Sequence, residues 1–135
     1  MKRVLAIIEK GEDGGYGIYA ADDNIPVVGD GLTEAEARES FEQCLHEQAA
    51  YIKEHTGECP KWYADEMDVE YRYDMTAFFM AFPFINVTEF ARSLNINPSL
   101  MRKYKSGVAK AGPRQKELIQ HKFDDILTRL STVKF

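Results

Sequence analysis

Between Ile85 and Gly107 the chain spells two helix starts and two helix stops within 23 residues, which leaves room only for two short helices and a sharp turn. Asn86 is an N-cap residue, Glu89 three positions later completes a capping box, and Ile85 with Phe90 has the spacing of a hydrophobic staple. The first helix is expected to stop near Asn95, because asparagine is second only to glycine in tolerating the left-handed backbone of a sharp turn. A second start follows at once. Asn97 caps, Pro98 takes the first helical position, where its missing N–H is of no consequence, and Ile96 with Met101 repeats the staple. Gly107 is placed to end that helix.

Two helices joined by so short a link must cross, and small Ala91 marks where the second approaches the first. This predicts helix-turn-helix geometry, with Phe90, Leu94, Ile96, Met101 and Tyr104 inside and Ser99, Arg102 and Lys103 on the outer face of the second helix. That outer face is the one such a motif lays in a DNA major groove. A plain helical hairpin inside a larger α-bundle has the same spacing. Charge favours the first reading: from Arg92 to Lys116 there are seven basic residues and no acidic one.

The bias extends over the whole chain. Residues 1–86 hold 7 Lys+Arg against 18 Asp+Glu, a net −11, whereas residues 87–135 hold 10 against 4, a net +6. An acidic half joined to a basic half suggests an anionic polymer as partner for the second and a basic protein for the first. A merely solvated acidic surface is the plainer reading of the N-terminal half. With 135 residues and 44% hydrophobic content the chain suits one ordinary domain or two small ones, and no apolar run is long enough to cross a bilayer. The basic N-terminal start breaks too soon for a signal peptide, so cytoplasmic residence is expected.

Ahead of the two helices the pattern is mostly β. Val4 to Glu9 and Tyr16 to Ala20 read as a hairpin across a glycine-rich turn, and Ile25 to Val28 reads as a third short strand that Pro26 confines to an edge or a strand start. The glycines match neither a dinucleotide-binding nor a P-loop pattern. Thr33 to Glu36 is a capping box that opens a helix to about His55, striped by Ala37, Phe41, Cys44, Leu45, Gln48 and Ile52. After Pro60, Val69 to Tyr73 alternates as a fourth strand. The order β-β-β-α-β predicts an open sheet with one helix across a face.

Asp74 is expected to cap a short helix from Met75 to about Phe82, whose Phe78, Phe79 and Phe82 would add core to the helix pair beyond. The last helix opens at Pro113, and Ile119, Phe123, Ile126, Leu127 and Leu130 make one face apolar. That face has two expected uses: burial against Phe78 and Phe82, or a dimer seam.

Nothing pairs a nucleophile with a base at readable spacing, and Cys44, Cys59, His46, His55 and His121 form no metal-ligand pattern. No catalytic residue, metal or cofactor is assigned, and neither cysteine is expected in a disulfide.

Two stretches, taken with the element order, resemble the HicB antitoxin family in the variant with a C-terminal helix-turn-helix. Gly29-Asp30-Gly31-Leu32-Thr33-Glu34-Ala35-Glu36-Ala37 is similar to that family's glycine-rich strand end, threonine cap and Glu/Ala-rich helix start. The segment from Ile96 to Gly107 resembles the variant's recognition helix. The resemblance implies an α+β chain with a partial RNase H-like domain over residues 1–73, binding a small basic HicA-like RNA-cleaving toxin. It further implies a helix-turn-helix domain over 74–135 that represses its own operon. A homodimer or larger homo-oligomer is expected because such motifs usually read paired half-sites. The expected DNA contacts are Arg92, Asn97, Ser99, Arg102, Lys103 and Lys105. Family members usually carry Pro-Gly before the glycine-rich strand, whereas here Pro26 precedes Val27-Val28-Gly29, so no toxin-contact residue is carried over. The alternative function is a ligand-sensing transcription regulator without a toxin partner. A nuclease using the strand carboxylates is a third.

Overall fold

The structure is a computed structural model, and it describes residues 2–135. It is an α+β arrangement of a four-stranded mixed sheet and five helices, in the order β1 (Lys2–Lys10), β2 (Tyr16–Ala20), β3 (Val28–Gly31), α1 (Glu34–Thr56), β4 (Met67–Tyr73), α2 (Met75–Ala81), α3 (Val87–Ser93), α4 (Pro98–Ser106) and α5 (Pro113–Leu130). By packing, the chain divides into two compact units, Met1–Ala81 and Phe82–Phe135.

In the first unit the strands lie in the order β3-β2-β1-β4. β1 to β3 form an antiparallel meander, and α1 carries the chain across to β4, which pairs parallel with β1. A parallel neighbour requires such a crossover, and α1 is it. Strand alternation sends Val4, Ala6, Ile8, Tyr16, Ile18 and Ala20 to one face, where they are buried against the Ala37, Phe41 and Leu45 face of α1. Thr33 caps α1 by accepting from the Glu36 N–H at 3.1 Å, while the Glu36 carboxylate reaches one residue further back, to the Leu32 N–H. The expected stripe on α1 is present, with Ala49 as an additional buried member.

The third strand is displaced from its expected place. It runs over Val28–Gly31 and not Ile25 to Val28, pairing Tyr19 with Val28 and Tyr16 with Gly31. Pro26 has no N–H to give a ladder, so Ile25 and Val27 bury their side chains outside the strand and the pairing starts after them. A Cβ on Gly29 would stand 2.4 Å from the Phe41 nitrogen, and one on Gly31 would stand 2.6 Å from the Ala37 nitrogen. The helix therefore rests on bare strand backbone, and Ser40 Oγ accepts the Asp30 N–H at 3.2 Å.

α2 belongs to this unit. Asp74 Oδ1 accepts the Ala77 N–H at 2.7 Å, and Ala77 lies in the sheet core with Met80 and Ala81 packed against it. The boundary thus falls between Ala81 and Phe82, and the one expected between residues 73 and 74 is corrected accordingly. The small, helix-forming Ala77 fits the end of the sheet, which the aromatic content of the segment obscured.

The second unit closes over Ala91, Leu94, Ile96, Met101, Tyr104, Ala111 and Ile119. Phe90 meets the Phe123 ring edge to face at 6.0 Å, which sets α5 against α3. Lys122 Nζ donates to the Leu94 carbonyl at 2.5 Å, placing a cation on the C-terminal end of α3. Among the described residues, no helix is long and apolar enough to cross a membrane.

Candidate nucleic-acid interface

α3 and α4 are local products of their caps. Asn86 Oδ1 accepts the Glu89 N–H at 3.0 Å, and Asn97 Oδ1 accepts the Ser99 N–H at 2.8 Å. Between them Asn95 takes a left-handed φ of 60°, turning the chain so that α4 packs against α3, where Ala91 is fully buried. Gly107, with φ 81°, ends α4 in the same left-handed region. Glu89 does not complete a capping box: its carboxylate instead takes the Arg92 guanidinium at 2.8 Å.

With Met101 and Tyr104 turned inward, α4 leaves Ser99, Arg102, Lys103, Lys105 and Ser106 exposed. No acidic residue occurs on this helix, so nothing on α4 opposes an approaching anion. Arg102 Nη1 donates to Thr88 Oγ1 on α3 at 3.1 Å. That bond uses one of the five guanidinium donors and fixes the direction of the others, which reduces the ordering loss when they meet a ligand. Arg102, Lys105 and Ser106 share a shallow groove of about 500 Å³ with Asn86, Val87 and Thr88 from the start of α3.

The expected contact residues divide. Ser99, Arg102, Lys103 and Lys105 sit together on α4, and Asn97 stands at its start with its side-chain oxygen occupied by the cap. Arg92 lies elsewhere, paired to Glu89 and lining a second groove of about 370 Å³ with Ser93, Asn95, Lys122, Asp125, Ile126 and Arg129. An exposed pair of this kind contributes little to stability, so it leaves Arg92 able to change partners. Thr88, Lys122 and Arg129 had no signal in the sequence, because only the crossing of α3 with α4 and the return of α5 bring them to these grooves.

Among the described residues, no group of three or more His, Cys, Asp or Glu side chains is placed to hold a metal ion. Cys44 and Cys59 are both free thiols. The chain matches no protein-family model, no curated protein and no solved structure.

Proposed function

We propose that the chain is an antitoxin of the HicB kind, which neutralises a small basic HicA-like RNA-cleaving toxin through its first unit and represses its own operon through its second. The observation that carries the reading is the α3–α4 pair: two capped helices packed together with Ala91 fully buried, and an outer helix face that presents Ser99, Arg102 and Lys103 and no carboxylate. It supports a helix-turn-helix in which α4 reads a major groove. There Ser99, Arg102 and Lys103 touch base edges and nearby phosphates, and Lys105 neutralises phosphate. Arg92 is assigned a phosphate too, from its separate groove. In the first unit, the order β3-β2-β1-β4 with a helical crossover to a parallel β4 supports a partial RNase H-like fold. The acidic surplus of residues 1–86 supports a basic partner.

On α5 burial fades toward the C-terminus: Ile119 is 8% exposed, Leu127 46% and Leu130 61%. This uncovered end of the apolar stripe supports a homodimer, which sets two reading helices against paired half-sites.

The test is a titration of the full chain against DNA from upstream of its own gene, over a range of salt. Arg102→Ala is expected to weaken binding by about 1–3 kcal/mol and relax preference at one base pair. Uniform weakening with a salt slope reduced by about 1 would assign Arg102 to phosphate. Binding unchanged in the variant would remove Arg102 from the interface, and no binding by the parent chain would remove the repressor function.

A further inference from the structure

The sheet of the first unit has a second face, and it differs in kind from the one under α1. Because Gly29 and Gly31 lie against the helix backbone, Val28 and Asp30 are turned to the opposite side. The register then aligns Val28, Tyr19, Ile7 and Arg72 in one row across all four strands, with Leu5 and Glu70 in the next. Val28 is 67% exposed and Tyr19 37%, while Leu5 and Ile7 are half-buried. This is an apolar strip on an accessible surface.

Carboxylates rim the strip. Asp30 and Glu9 flank Gly17 on one side, where a missing side chain leaves a dent beside Glu9. Glu70 and Asp68 stand on the other side, along β4. Burial, then Glu9 and Asp74, raise the Tyr19 hydroxyl above its ordinary titration range, so two carboxylates reach the centre of the strip electrostatically. Among the described strand residues of this face, the carboxylates Glu9, Asp30, Asp68 and Glu70 outnumber the cations Arg3, which bonds Asp68 at 2.9 Å, and Arg72, which lies 3.5 Å from Glu70.

We infer that this face, centred on Ile7, Tyr19 and Val28 and rimmed by acids, is where a small basic protein docks. An apolar centre inside a charged rim is the anatomy of a protein interface, and a rim of one sign selects a partner of the other. DNA is repelled by it. A second copy meeting face to face would oppose acid with acid, which disfavours that pairing. The inference rests on the antitoxin reading and names the surface that reading requires.

The test places photoreactive p-benzoylphenylalanine at position 28 of the full chain, and separately at position 51 on α1, where Tyr51 is 56% exposed. Cross-linking is done in cells of the chain's own source and the products are identified by mass. A single small basic protein joined from position 28 and not from position 51 is the expected result. Its yield should fall at least about tenfold in a chain also carrying Asp30→Lys and Glu70→Lys, with an unchanged thermal melt showing that these two exposed substitutions leave the fold intact. The same protein joined from position 51 alone would overturn this face and keep the antitoxin reading. A product made of two copies of the chain would overturn the assignment to a basic protein. Absence of any basic protein at both positions would overturn the face and the reading together.

Discussion

Gly29 and Gly31 do at residue scale what no larger residue allows there: they let α1 lie directly on β3. A methyl group on Gly29 would stand 2.4 Å from one α1 backbone atom and 2.6 Å from the next, the nitrogen and Cα of Phe41. Relief therefore requires the helix itself to move, because no flexible side-chain end is available to give way. Gly29→Ala is expected to destabilise the chain by about 1–3 kcal/mol or more, as overpacking does in a filled core. Urea unfolding followed by circular dichroism measures it, and a midpoint unchanged from the parent would show that α1 does not press on this strand. Tyr71 makes a second residue-scale prediction. Burial, followed by the nearby Glu42 carboxylate, raises its hydroxyl well above the ordinary 10.0, with Arg38 opposing the shift. A folded-state value raised above the unfolded one means that the neutral form is favoured in the fold. The stability this confers is whole below pH 10.0 and is lost progressively as pH rises beyond it. Tyr71→Phe should therefore flatten the fall in stability between about pH 10 and 12 relative to the parent, as read from thermal melts across that range. An equal slope in both proteins would separate alkaline unfolding from this tyrosine.

At the scale of elements, what the sequence made legible was whatever rests on neighbouring residues. Thr33, Asn86 and Asn97 cap the helices they were expected to start, and Asn95 takes the left-handed turn assigned to it. β2 and α5 begin where the alternation and Pro113 placed them. The failures are nonlocal. β3 was displaced because hydrophobicity at Ile25 and Val27 signals burial and not pairing, whereas Gly29 and Gly31 look unlike strand residues until α1 is seen above them. α2 packs with the sheet because Ala77 enters its core, whereas three phenylalanines in sequence do not state which core receives them. The candidate interface divides the same way. Ser99, Arg102 and Lys103 were readable from the period of one helix, but the Thr88 hydroxyl that holds Arg102 depends on a helix crossing. Glu89 has the sequence of a capping box and a different partner, Arg92, because a free cation one turn away competes for its carboxylate.

At the scale of the molecule, the uncovered end of α5 joins the DNA-reading proposal to oligomeric state. The upstream part of that helix is committed inside its own unit through Ile119, the Phe90–Phe123 contact and the Lys122 bond to Leu94. Leu127 and Leu130, on the same stripe, remain 46% and 61% exposed. Substituting both by Asp leaves the internal contacts in place while putting charge into any seam between two copies, which is strongly unfavourable for a buried unpaired carboxylate. The mass from light scattering is expected to fall from about twice 15.4 kDa to 15.4 kDa, with helix content unchanged. Operator affinity should fall with it by about a hundredfold or more, because the second half-site is no longer bound as an intramolecular event. A half-site duplex of one motif supplies the control: the parent and the double variant should bind it equally, since neither substitution lies on α4. A parent chain that is already monomeric, or a variant that stays dimeric, would move the seam away from α5. Equal loss on the half-site and on the paired site would mean that the substitutions damage the reading unit itself, so the comparison of the two duplexes separates assembly from recognition.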